Sequence, residues 1–135
     1  MENTIVNINY EQTGASTGTN PLGMREMQRM VYEQRHRQYL LVKAPPACGK
    51  SRAMMFVALD KLENQGIKKV IVAVPEKTIG RSFDNTNLKD FGFFADWRVA
   101  DDFNLCSGSE AEKKKRFFEF IAPGCKNRIL VCTHA

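Results

Sequence analysis

The chain has 135 residues, 43% of them apolar, a formal net charge of +5 and an isoelectric point of about 9.1. That length suffices for one domain with its own core and falls short of two ordinary ones. The apolar content excludes a chain too polar to fold, and no apolar run is long enough to span a bilayer.

The basic balance suits an anionic partner such as a nucleic acid, without favouring any sequence. The opening stretch "MENTIVNINYEQTG" lacks the basic-then-apolar pattern of a secretory signal, so a cytoplasmic protein is expected. Its four cysteines, Cys48, Cys106, Cys125 and Cys132, form no C-x-x-C pair and have no histidine at ligand spacing. They read as reduced thiols rather than a zinc site, with Cys132 in the core and Cys48 the chemically interesting one.

Residues 1–23 read as a flexible N-terminal arm, because "EQTGASTGTNPLG" is polar, rich in Gly, Ser and Thr, and aperiodic. From Met24 onward Met24, Met27, Met30 and Val31 share one helical face, predicting a helix over 24–37. A strand over 39–44, a loop over 45–49 and a helix to about Gln65 follow. Met54, Met55, Ala58, Leu59 and Leu62 form that helix's apolar stripe, and Gly66 stands ready to end it.

"KKVIVAVP" predicts a strand over 70–74 stopped by Pro75, apolar enough on both faces to suit a parallel sheet covered by helices. A short helix over 76–83, a loop over 85–92 and a weaker strand in "FADWRVA" come next. Ser109 and Glu112 fit a capping box that opens a helix to about Ala122, with Phe117, Phe120 and Ile121 as core anchors. Within it, the basic run Lys113–Lys114–Lys115–Arg116 reads as a solvated face. "RILVCT" predicts a last strand over 128–133. Strands alternating with helices imply an α/β fold with a mostly parallel sheet.

Residues 44–51 read Ala-Pro-Pro-Ala-Cys-Gly-Lys-Ser, which matches the phosphate-loop pattern G-x-x-x-x-G-K-[S/T] except at its first glycine. The loop leaves an apolar strand and enters a helix, the context this chemistry requires. Backbone N–H groups at the positive end of that helix suit a phosphate. Lys50 adds a charge for the β- and γ-phosphates, and the Ser51 hydroxyl a ligand for Mg²⁺. Pro45 and Pro46 bring no N–H and stiffen the loop.

This octapeptide resembles the first motif of the superfamily 2 helicases and translocases, A-x-T-G-S-G-K-T, with Pro46 and Ala47 in place of a Thr and a Gly. The resemblance is to the broad DEAD/DEAH-like group that includes restriction-enzyme motor subunits, and it runs from about Met24 to the end of the chain. It implies a three-layer P-loop NTPase fold, truncated to about four strands, with 24–135 as a partial ATP-binding helicase domain. It also implies ATP and Mg²⁺ as cofactors. Ala47, Cys48, Gly49, Lys50, Ser51 and Arg52 would hold the nucleotide, Lys50 and Ser51 being the catalytic members. "MREMQ" resembles the segment whose Gln reads the adenine edge, which assigns that role to Gln28.

"VIVAVPEKTIGRSF" resembles a motif that grips the sugar-phosphate backbone, which implies Pro75, Lys77, Thr78 and, one turn on, Arg81. "RILVCTHA" resembles a strand ending in a nucleic-acid contact, which implies Thr133. Partners implied are nucleic acid, DNA ahead of RNA, and the rest of a helicase with its second motor domain. No membrane partner is implied, and exposed sheet edges would permit a dimer. Hydrolysis in the family also needs an acidic pair at a further strand end. None follows Thr133, and only Asp101 and Asp102 offer an internal substitute, so the chain alone is expected to be inactive. Two readings stay open beside this one: a non-enzymatic basic P-loop domain that binds nucleic acid or a partner protein, and a small P-loop nucleotide kinase.

Overall fold

The computed structural model describes residues 3–7, as backbone, and 19–133. The described residues divide into two compact units, falling within Met1–Gly66 with Asn87–Asp96 and within Ile67–Thr86 with Trp97–Ala135.

In the first unit, β2 (Tyr39–Lys43) half-buries Leu40 and Val42 and leaves Tyr39, Leu41 and Lys43 exposed, the alternation of a strand with one covered face. Its neighbour is β1 (Asn3–Asn7), parallel to it in a register that sets Asn3 against Tyr39 and Asn7 against Lys43. Part of the stretch expected as an arm is therefore strand, because β2 offers a ladder for these residues to join. Residues 8–18 of the same stretch lie outside the described residues.

Two helices cover β2. In α1 (Glu26–Glu33) Met27 and Val31, one turn apart, meet Ala53 of α2 (Lys50–Asn64), and Leu40, Val42 and Val57 pack against them. The expected stripes are partly displaced. Met30 and Met54 are exposed, while the polar Gln28 and Asp60 are buried. The helix expected to reach Arg37 ends at Glu33, and residues 34–37 continue as turns. Gly66 follows α2 with φ +72°, a left-handed C-terminal stop.

Asp60 owes its burial to four partners. Tyr32 Oη donates to its Oδ1 at 2.9 Å, Asn64 Nδ2 at 2.8 Å, and Gln65 Nε2 donates to Oδ2 at 2.8 Å. Arg35 Nε stands 3.3 Å from Oδ2 as an ion pair without hydrogen-bond alignment, its guanidinium 4.4 Å above the Tyr32 ring. Burial pushes the Asp60 carboxyl up, but these hydrogen bonds and the Arg35 charge outweigh it and hold the group below its usual range. Tyr32 is pushed up to about 12 by burial, by its bond to Asp60 and by the Asp60 charge.

The second unit holds a three-stranded sheet of order β3–β5–β4, all parallel: β3 (Val70–Val74), β4 (Asn104–Leu105) and β5 (Ile129–Thr133). Leu130 and Val131 are fully buried in the central strand. Around Leu130 gather Phe103, Leu105 and Phe120, the last from α4 (Glu110–Ile121). Ser109 caps α4 by accepting the Glu112 N–H at 3.3 Å.

Several expectations change here. β3 is an edge strand with Val72 and Val74 buried but Ile71 49% exposed, so only one of its faces is covered among the described residues. Ile121 is exposed rather than a core anchor. "FADWRVA" forms no strand beyond one antiparallel bridge between Thr86 and Trp97. Trp97 explains this: its fully buried indole donates from Nε1 to the Phe83 carbonyl at 2.9 Å, anchoring a loop, while Asn104 and Leu105 take the place beside β5.

The architecture is thus α/β, with four α-helices and a three-stranded parallel sheet among the described residues, compatible with a truncated phosphate-loop fold. No helix among the described residues is long and apolar enough to cross a membrane.

Candidate nucleotide loop and strand-end cluster

The loop between β2 and α2 turns through two left-handed residues, Ala47 at φ +61° and Gly49 at φ +90°. Ala47 stands where the resembled motif has glycine, and it adopts the conformation that a glycine would favour. Gly49 caps α2, and Lys50 and Ser51 open the helix. The first N–H groups of a helix have no partner within it, so this turn presents donors at the positive end of a fifteen-residue helix.

Three side chains brace the loop. Lys50 Nζ donates to the Ala44 carbonyl at 3.0 Å, holding the ammonium across the loop from its far end. Cys48 Sγ donates to the Pro45 carbonyl at 2.8 Å. Gln28, only 3% exposed, accepts the Arg25 N–H through Oε1 at 2.8 Å and donates through Nε2 to the Gly49 carbonyl at 3.1 Å. The predicted adenine reader is thereby a direct support of the loop, a role its spacing in sequence does not reveal. Arg52 lies 5.5 Å from the ring centre of Phe91 in the same unit. The donor set of helix-start amides, one ammonium and one hydroxyl fits a magnesium-bound polyphosphate.

The second predicted set gathers at the C-terminal ends of β3 and β5. The register pairs Val74 with Thr133, so β3 turns at Pro75 one residue beyond the pair that ends β5. Ligands of open α/β sheets bind at such strand ends. Lys77 and Thr78 begin the short helix α3 (Lys77–Gly80), and Arg81 follows it; all three are exposed. Thr78 Oγ1 lies 3.5 Å from Glu76 Oε2. Gly80 seats α3, since a Cβ there would collide with the Sγ of buried Cys106.

Burial pushes the Cys106 and Cys132 thiols up, and the Lys113 charge pulls both back. Cys132 is half-buried rather than a full core residue. Asp101 and Asp102 open a 3₁₀ turn, where Asp102 lies 3.6 Å from Arg116. No group of three or more potential metal ligands occurs among the described residues.

Fold and loop together define the class: an α/β chain whose apolar strand passes through a left-handed turn into a helix headed by Lys-Ser. The chain is 57% identical, over all 135 residues, to the Bacillus subtilis (strain 168) protein named "Putative ATP-dependent helicase YeeB", and it spans 22% of that protein's length. It is therefore similar throughout to one portion of a helicase-named protein. No protein-family profile matches the chain. No solved structure matches it.

Proposed function

We propose that this chain is the ATP-binding, N-terminal portion of a superfamily 2 helicase or translocase, a cytoplasmic motor that couples ATP hydrolysis to movement on nucleic acid, DNA ahead of RNA. The observation that carries the reading is the loop over 44–51: two left-handed residues place helix-start amides, the Lys50 ammonium and the Ser51 hydroxyl at one strand end. The similarity along the whole chain to a helicase-named protein supports it.

Ala47, Cys48, Gly49, Lys50, Ser51 and Arg52 hold the phosphates, and Ser51 holds Mg²⁺, which neutralises phosphate charge when bound. Gln28 positions the loop through its bond to the Gly49 carbonyl and, by the family resemblance, would read the adenine edge. Pro75, Lys77, Thr78, Arg81 and Thr133 line the nucleic-acid track. Residues 24–135 are the functional body of this portion. Turnover needs an acidic pair and a second motor domain supplied by further chain.

Calorimetric titration of Mg-ATP and Mg-ADP into the intact protein that carries this chain, and into Lys50→Ala, tests the reading. At a ligand concentration 100 times Kd a real site adds about 2.7 kcal/mol of stability, so a melting shift lost in Lys50→Ala is expected. Equal binding by both proteins, or none by either, would overturn the assignment.

A further inference from the structure

An open cleft of about 250 Å³ lies in the second unit between α4 and the ends of β4 and β5. Leu105, Cys132 and Thr133 line it from the strands, and Lys113, Lys114 and Phe117 from the helix. None of these six is acidic. The packing of α4 aims the lysines: Phe120 is fully buried against Leu130, and Phe117 packs on the same cluster. Lys113 and Lys114 lie three or four residues before Phe117, on its side of the helix.

The basic run thus separates into three kinds of residue. Arg116 is held by Glu119 at 3.0 Å and Asp102 at 3.6 Å. Lys115 is exposed and lines no part of the cleft. Lys113 and Lys114 border it, and neither forms an ion pair among the described residues. Small-molecule pockets usually enclose about 300–1,000 Å³, so this smaller, open cleft suits one stretch of a longer ligand better than a whole compact one. Two ammonium groups above an apolar floor match the phosphates and sugar faces of an extended strand. The cleft reaches Thr133, whose register partner Val74 precedes Pro75.

We propose that Lys113 and Lys114 make this cleft a seat for the phosphodiester backbone of a single nucleic-acid strand, extending the track along the strand ends. The inference rests on the nucleic-acid reading above and names residues that the reading does not include.

The test measures anisotropy of a fluorescein-labelled oligothymidylate with the intact protein over a salt series. The proteins compared are wild type, Lys113→Ala/Lys114→Ala, and Lys115→Ala/Lys126→Ala, which removes the same charge from exposed positions. The cleft variant should lose about tenfold in affinity and lower the log–log salt slope by about 1.4, the share of two single-strand contacts; the control should bind like wild type.

Mass-spectrometric alkylation of Cys132 in wild type gives a readout independent of mutation: the oligonucleotide should slow it, and inorganic phosphate should not. Equal losses in the two double variants would reduce the effect to general charge and overturn the proposal. So would protection of Cys132 by inorganic phosphate alone. Oligonucleotide binding with Cys132 unprotected would sink the cleft while sparing the nucleic-acid reading. No binding by wild type would remove that reading itself.

Discussion

Gly49 and Ala47 share the left-handed conformation, but only one of them lacks the side chain that this conformation resists. In Gly49→Ala the new Cβ would sit at φ +90° and meet Gln28 Nε2 at 2.5 Å. The conformation costs an L residue about 1–2 kcal/mol. Moving Gln28 aside breaks its bond to the Gly49 carbonyl, a further loss of about 1 kcal/mol. A less flexible unfolded chain offsets about 0.4–1 kcal/mol of this. The net expectation is a destabilisation of about 2 kcal/mol.

Ala47→Gly runs the other way. Its side chain is exposed, so no packing is lost, and relief of the strained φ outweighs the added unfolded freedom by about 0.5–1 kcal/mol. Urea unfolding followed by far-ultraviolet circular dichroism measures both changes. A Gly49→Ala protein as stable as wild type, or an Ala47→Gly protein weakened to the same degree as Gly49→Ala, would refute the account of the loop.

Asp60→Ala strands Tyr32, Asn64 and Gln65 and should cost about 2–3 kcal/mol in the same assay, nearer the neutral hydrogen-bond range because Arg35 is partly solvated. Because the folded Asp60 carboxyl is held low, its contribution is complete above the unfolded carboxylate pKa and disappears as pH falls through the folded value. Tyr32 acts at the other end: with its folded pKa near 12 against 10.0, stability falls as pH rises between those values, and Tyr32→Phe should flatten that alkaline limb in a pH series of unfolding midpoints. Leu130→Ala, at a fully buried position in the central strand, should lose about 2–5 kcal/mol by thermal or urea unfolding. Gly80→Ala should lose about 1–2 kcal/mol through overpacking against Cys106, and Cys106→Ala in the same chain should recover most of it.

Much of the local structure was legible because it rests on short-range rules. The apolar runs of β2 and β3, the Ser109 cap and the Gly-Lys-Ser turn after a strand all depend on neighbours within a few residues. The misreadings depend on distant partners. Asn3–Asn7 becomes a strand only because β2 receives it, and Asn104–Leu105 only because β5 does. Trp97 suggested a strand, yet its indole serves as an anchor to Phe83 fourteen residues earlier.

Gln28 and Asp60 look like solvated helix residues until their partners are known; Gln28 reaches Gly49 across 21 positions, and Asp60 reaches Tyr32 across 28. At the candidate sites, the pattern of residues 44–51 points to the loop, and the family resemblance points to Pro75 and Thr133; the parallel register pairs Thr133 with Val74, the residue before Pro75. The lysines beside the cleft could not be separated from Lys115 and Arg116 without knowing which face of α4 holds Phe120.

The order β3–β5–β4 also bears on how the chain is made. The strand that joins the other two follows both in sequence, so while a ribosome extends the chain neither earlier strand has its ladder partner until residues 129–133 emerge. For that interval the Val72 and Val74 side chains await a core completed 59 residues after β3 begins, as the pairing of Val70 with Ile129 requires. Such sequence-distant pairing slows folding and lengthens exposure to wrong partners. Nascent chains stalled before Ile129 should therefore be the ones that chaperones capture and proteases cut most readily.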